Sequence, residues 1–241
     1  MTFKVMVVNR SATDQADLFH TVRAINTQLR THFGPAWNID SSCFLQYKRR
    51  EPHDAIIYLD DKPTIDDAAG YHDKDKAGMP FGFVFLDICA SLGESYSVTL
   101  SHEILELVLN RHCNYFAIGR HPKNKNKRAA IWMEACDPVQ DQSYKINGVE
   151  VSDFLFPLYF TPEAETKGQN NYMKDKPVES FGVNPGGYVG YYDFDLKSDE
   201  TWFPEEDERA RKRQVIKSHL GSIRRKSRVK LLLENTGEDA E

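Results

Sequence analysis

His102-Glu103-Ile104-Leu105-Glu106 is the stretch of this 241-residue chain whose residue types and spacing can do chemistry. On a helix, positions four apart stand one turn apart on the same face, so His102 and Glu106 can grip one cation while Glu103 lies beside it. The spacing is that of a His-Glu-x-x-His metal helix with Glu in place of the second His. A hydrolytic centre of this kind needs three protein ligands, an open position, and a carboxylate that takes a proton from water. Two ligands and the base, Glu103, are local. The third is expected from a segment packed across the helix, and Trp132-Met133-Glu134-Ala135-Cys136-Asp137-Pro138 carries two carboxylates, Glu134 and Asp137, for that role.

Other groups have plainer readings beside the chemical one. His121, next to Arg120 in a loop, and Tyr144 could each stabilise an oxyanion, or be structural. Ser101 is a helix cap before it is a nucleophile. His112 falls well around the helix from His102 and reads as a surface or packing residue. Gly70 to Pro80 is polar and Gly-rich and reads as a turn. Its His72-Asp73-Lys74-Asp75 run lacks the later Glu of a calcium loop, and His72 could still border a cleft. Cys43, Cys89, Cys113 and Cys136 form no CxxC pair and read as small buried apolar groups in a reducing, cytoplasmic setting.

The elements that must position these residues follow from periodicity. Lys4 to Asn9 reads as a strand. Asp14 to Phe33 reads as an amphipathic helix, with Leu18, Val22, Ile25 and Leu29 at three- and four-residue steps and Gly34-Pro35 as its stop. Cys43 to Tyr47, Ala55 to Leu59 and Phe81 to Ile88 read as strands, and Thr99 to Asn110 as the helix that carries His102. Ala129 to Asp137 reads as a second short helix ended by Pro138. Tyr144 to Phe160 reads as strand pieces around an Asn147-Gly148 turn. From Thr161 to Gly190, Pro, Gly, Asn and Lys suggest a loop-rich excursion, and Glu205 to Arg228 can form a highly charged helix.

Composition bounds the rest. Hydrophobic residues make up 40% and aromatics 12%, which excludes a mainly disordered or fibrous chain. No apolar run reaches the roughly 20 residues that span a bilayer. Residues 209 to 230 hold ten Lys or Arg and no acid, whereas the remainder sets 21 basic against 36 acidic residues. Such segregation suggests a basic arm, centred on Arg211, Lys212, Arg213, Arg224, Arg225 and Lys226, for nucleic acid or an acidic protein.

Three blocks taken together, Gly70-Tyr71-His72-Asp73, Val98-Thr99-Leu100-Ser101-His102-Glu103 with Glu106, and Glu134-Ala135-Cys136-Asp137-Pro138 with Tyr144 and Val151-Ser152-Asp153-Phe154, resemble a group of uncharacterised bacterial and phage-associated proteins with a zincin-like metallopeptidase core. The resemblance covers about residues 1 to 160. It implies an α+β, zincin-like fold in which a mixed sheet lies against the active-site helix and an edge strand, placed near Phe81 to Ile88, holds an extended peptide. By analogy with gluzincins it makes Glu134 the third ligand and Asp137 the partner holding His102, or the reverse. The expected organisation is a metal-binding domain over 1–160, a loop-rich extension over 161–204, and a basic helical arm with an acidic tail over 205–241. The expected function is that of a metal-dependent hydrolase acting on peptide or protein, with zinc, manganese or iron as its ion. An inactive phage or prophage component working through the basic arm, in the host cytoplasm, is the alternative.

Overall fold

The computed structural model describes residues 1–47, 51–63, 70–75, 77–161 and 168–204. The chain is a mixed α+β protein. Its main sheet contains β1 (Phe3–Asn9), β2 (Ser41–Leu45), β3 (Ala55–Asp60), β4 (Gly70–Lys74) and β5 (Pro80–Phe85) in the order β2-β1-β3-β5-β4. The pairings of β1 with β2 and β3, and of β3 with β5, are parallel, while β4 runs antiparallel to β5.

Alternation along these strands sends one set of side chains to the helices. In β3, Ala55, Ile57 and Leu59 are buried, while Ile56, Tyr58 and Asp60 are half-buried on the other face. Val5, Val7 and Val84 join the buried set, which packs with Leu18, Ile25, Leu100, Ile104 and Leu107 from two helices. Each such aliphatic side chain contributes about 1.5–3 kcal/mol on burial.

The first of these helices is α1 (Gln15–Gln28), capped by Asp14, whose side chain accepts from the amides of Ala16 and Asp17. The expected stop at Gly34-Pro35 is not where the helix ends. The chain widens into a π turn over Leu29–Phe33, continues as α2 (Gly34–Trp37), and closes on Asn38 in the left-handed conformation (φ 53°). Gly34 is required there, since a Cβ would stand 2.5 Å from the Leu29 carbonyl oxygen.

After the short α3 (Leu86–Ser91), α4 (Tyr96–Leu109) is the helix that carries His102. Ser95 caps it, six residues before Ser101, which caps nothing. Every residue from Ser97 to Leu109 is buried, so α4 is a core helix enclosed by β4 and β5 on one side and a hairpin on the other. That hairpin is β8 (Ser143–Ile146) and β9 (Val149–Ser152), turned at Asn147-Gly148 with both residues at positive φ. Ser101, buried, accepts the Ser152 amide at 2.7 Å, and Gln28 donates to the Ser152 carbonyl at 2.7 Å. Ser101 therefore ties the hairpin to α4.

Three expectations of local structure are corrected. Gly70–Lys74 is a strand antiparallel to β5, with Gly70 opposite Val84 and Lys74 opposite Pro80. Phe81 to Phe85 consequently runs between β3 and β4, and the edge strand is Gly70–Lys74. The segment before Pro138 is no helix but strand β7 (Arg128–Trp132) followed by a single 3-10 turn at Asp137–Val139. The loop expected from Thr161 to Gly190 holds no strand before Val189 among the described residues, and at and beyond its end β10 (Val189–Asp193) and β11 (Ser198–Trp202) join β7 and β6 (Phe116–Arg120) in a second, antiparallel sheet ordered β11-β10-β7-β6. Val178, Phe181, Val189 and Tyr191 share a core with Ala129, Ile131, Leu155 and Tyr159. The basic arm, including Arg211, Lys212, Arg213, Arg224, Arg225 and Lys226, and the acidic tail lie outside the described residues.

Candidate metal centre

Two histidines and four carboxylates converge where α4 passes between the sheet edge and the segment after β7. On α4, His102 Nε2 lies 3.2 Å from Glu106 Oε2, the i to i+4 pair expected from sequence. The same nitrogen lies 3.2 Å from Asp137 Oδ1. Glu134, two residues past β7, presents Oε2 at 3.4 Å from His72 Nε2, and His72 Nδ1 is 2.9 Å from Glu103 Oε2 and 3.7 Å from Glu106 Oε2. All six residues are buried.

Backbone contacts fix the arrangement. The Cys136 amide donates to Glu106 Oε1 at 3.1 Å, which leaves Oε2 turned toward His102. Ala135 is held by a hydrogen bond from the Leu155 amide to its carbonyl. Asp137 accepts the hydroxyl of Tyr188 at Oδ1, the same oxygen that faces His102, and its carbonyl accepts the Tyr188 amide at 3.0 Å. Tyr188 reaches this position because Gly187 lies flat against the 3-10 turn, where a Cβ would meet the Pro138 carbonyl oxygen at 2.4 Å. Tyr188→Phe is expected to weaken metal affinity by about 10- to 100-fold, the cost of losing a group that orients a ligand. Competition of the variant against a chromophoric chelator measures it.

The buried charges shift one another's protonation. Burial by itself lowers the His102 pKa, but the charge of Glu106 and hydrogen bonds from the ring to Asp137 and Glu106 outweigh it and raise the pKa to about 10. Glu106 is pushed up by burial first and then by the charges of Asp137 and Glu134, against the pull of His102. Cys136 is held far above the ordinary thiol range by burial and by Glu106, which keeps its sulfur protonated. Donor atoms of His102, Glu106 and Cys136 lie within 4.8 Å of one another, and so do those of His72, Glu103 and Glu106.

Comparisons with protein-family models, curated protein sequences and solved structures found no match to this chain. The reading of the site therefore rests on its geometry.

Of the residues singled out from sequence, His102, Glu103, Glu106, Glu134 and Asp137 are brought together. Tyr144 is turned to other partners: its hydroxyl bonds Gln28 at 3.1 Å and His32 at 2.9 Å, and its ring stacks on Tyr172. Burial drives its pKa far above the usual tyrosine value. His121 belongs to the second sheet, where Nε2 meets Asp193 Oδ2 at 3.0 Å and Nδ1 accepts the amides of Lys123 and Asn124. All of its hydrogen-bonding capacity is spent on closing that loop. His112 is exposed beside Tyr115.

Two members of the site were not picked from sequence. Tyr188 gave no signal beyond following two glycines. His72 lies at the middle of a five-residue strand that its polar neighbours disguised as a turn. The strand begins at Gly70, where a Cβ would stand 2.9 Å from both Glu103 Oε1 and Thr99 Cγ2. Gly70→Ala is expected to displace the Glu103 carboxylate, lowering turnover about 10- to 100-fold while thermal melting moves by only a few degrees. Activity and calorimetry on one preparation test the two halves of that expectation.

Proposed function

We propose that this chain is a zincin-like metal-dependent hydrolase, most readily a peptidase, with its ion held at His102 and Glu106 and by Glu134 or Asp137. The observation that carries the proposal is the burial of four carboxylates around two imidazoles on the two sides of one helix. Unscreened carboxylates at this density are costly in a protein interior unless a cation or protons balance them. Nitrogen and oxygen donors at three-ångström spacing suit a first-row divalent ion. The carboxylate-rich set accepts manganese or iron as well as zinc.

A bound divalent ion would polarise a scissile carbonyl and acidify water at the centre. The remaining work falls to the chain. Glu103 takes the proton of the attacking water at its carboxylate and returns it to the leaving amine nitrogen. Asp137, held by Tyr188, presents Oδ1 to the same His102 nitrogen that faces Glu106 and so closes that side of the centre. β4, the sheet edge beside α4, pairs only with β5 among the described strands, and its outer side can take an extended substrate by strand addition. The parallel core with an antiparallel edge strand against the His-Glu-x-x-Glu helix supports the zincin-like reading. A cytoplasmic location fits four cysteines that are all free and buried, and none of the described helices is long and apolar enough to cross a membrane.

Elemental analysis of the purified protein, followed by digestion of a peptide library with and without added zinc, tests the proposal. Chelator-sensitive cleavage that zinc restores is the expected result. A chain that neither contains nor can be loaded with a transition metal overturns it.

A further inference from the structure

We propose that His72 is a positioning residue for the general base: from the edge strand its ring donates through Nδ1 to Glu103 and holds that carboxylate in place. The inference rests on the hydrolase reading above and deepens it. His72 acts through Glu103 and is assigned no contact with the ion, which stays with His102, Glu106 and the segment after β7.

A glutamate side chain has several rotatable bonds, and a reacting group displaced by about 1 Å can lose about 100-fold in rate. Helix α4 fixes only where the Glu103 side chain starts. Strand β4 fixes where it ends. Gly70 and His72 stand two residues apart and so share one face of the strand. Both meet Glu103. Gly70 leaves room at Oε1, where a Cβ would stand 2.9 Å away, and His72 Nδ1 lies 2.9 Å from Oε2. That second distance is a hydrogen bond, whereas Glu106 Oε2, 3.7 Å from the same nitrogen, is beyond one. A base must enter the reaction as an acceptor, so the proton of this bond sits on Nδ1. Across the ring, Nε2 faces Glu134 Oε2 at 3.4 Å, and the imidazole, 1% exposed, is wedged between the base and the segment after β7. The bond takes one of about four lone-pair sites on the carboxylate and leaves the others for water.

The base is therefore carried by the helix and aimed by the strand. An extended substrate paired with the outer side of β4 would lie on the element that holds the base, so a shift of that strand moves peptide and carboxylate together.

Asparagine and glutamine separate the two ring nitrogens, because the amide nitrogen of Asn falls near Nδ1 and that of Gln near Nε2. The experiment uses the zinc-loaded full chain and a peptide that the parent chain cleaves. His72→Gln is expected to lower kcat about 10- to 100-fold, with KM and zinc content close to parental, and His72→Asn to restore most of that kcat. Equal losses in the two variants, or no loss in either, overturn the proposal and leave the hydrolase reading intact. Loss of zinc from both variants would place His72 at the ion and also overturns it. A parent chain that holds zinc and cleaves nothing removes the hydrolase reading, and the base that His72 would position goes with it. Should the variants fail to fold, nitrogen NMR of the parent chain with isotopically labelled histidine gives a second readout. His72 Nδ1 is expected to carry a proton in the zinc-loaded chain, and an unprotonated Nδ1 overturns the proposal.

Discussion

Glu103→Gln is expected to abolish measurable peptide hydrolysis while leaving metal content at the parental level. A general base contributes about 10²- to 10⁴-fold, and glutamine keeps the size of the side chain while losing the ability to take a proton. The amide can still meet His72 Nδ1 through its oxygen, so the ring that Glu103 holds at 2.9 Å keeps a partner. Parallel measurement of zinc content and turnover separates the outcomes. A variant that keeps its zinc and more than a tenth of the parental rate would show that the proton goes elsewhere.

His102→Ala should have the opposite signature, losing the ion itself. The ring contacts both Glu106 and Asp137, so its removal deletes a donor and leaves two buried carboxylates facing a cavity. A zinc Kd weakened by more than about 100-fold is expected, along with a lower melting temperature, because a buried acid deprived of its partner costs about 3–5 kcal/mol when it stays charged. pH adds a second check. With the His102 pKa raised to about 10 in the metal-free chain, zinc must displace a proton from this ring near neutrality, so affinity should climb as pH rises toward that value. For folding without metal the sign is reversed. A histidine whose folded pKa is raised contributes stability that is fully present below its unfolded value near 6.5 and is lost as pH rises through about 10. Calorimetry in buffers of different ionisation enthalpy reads the proton release, and none should be seen from this residue in His102→Ala.

Part of the centre was legible in the sequence because helical spacing is local. His102, Glu103 and Glu106 share a helix, read at Thr99 to Asn110 and found at Tyr96–Leu109. Glu134 and Asp137 are legible as a downstream carboxylate pair, but the backbone that carries them is not the expected short helix: a strand is followed by a 3-10 turn at Pro138, the Cys136 amide fastens that segment to Glu106 of α4, and Tyr188 holds Asp137. His72 was hidden by composition. Gly70-Tyr71-His72-Asp73-Lys74 has the residues of a turn and becomes a strand because β5 offers it a full antiparallel ladder, a tertiary override of local preference. The loop expected from Thr161 to Gly190 holds no strand before Val189 among the described residues, but the sheet that follows it was not legible, because Tyr191 and Tyr192 pair with Ile131 and Ala130 across sequence distances that no local pattern reports.

The enclosure of α4 has a consequence for how the molecule moves. With every residue from Ser97 to Leu109 buried and the hairpin tied down through Ser101, this helix has no loose side from which to open. Its amides should exchange with solvent hydrogen only through near-complete unfolding, at the slowest rates among the described elements. His102, Glu103 and Glu106 are thus mounted on an enclosed helix, and the short strand β4 and the turn at Asp137 bring the other groups to it.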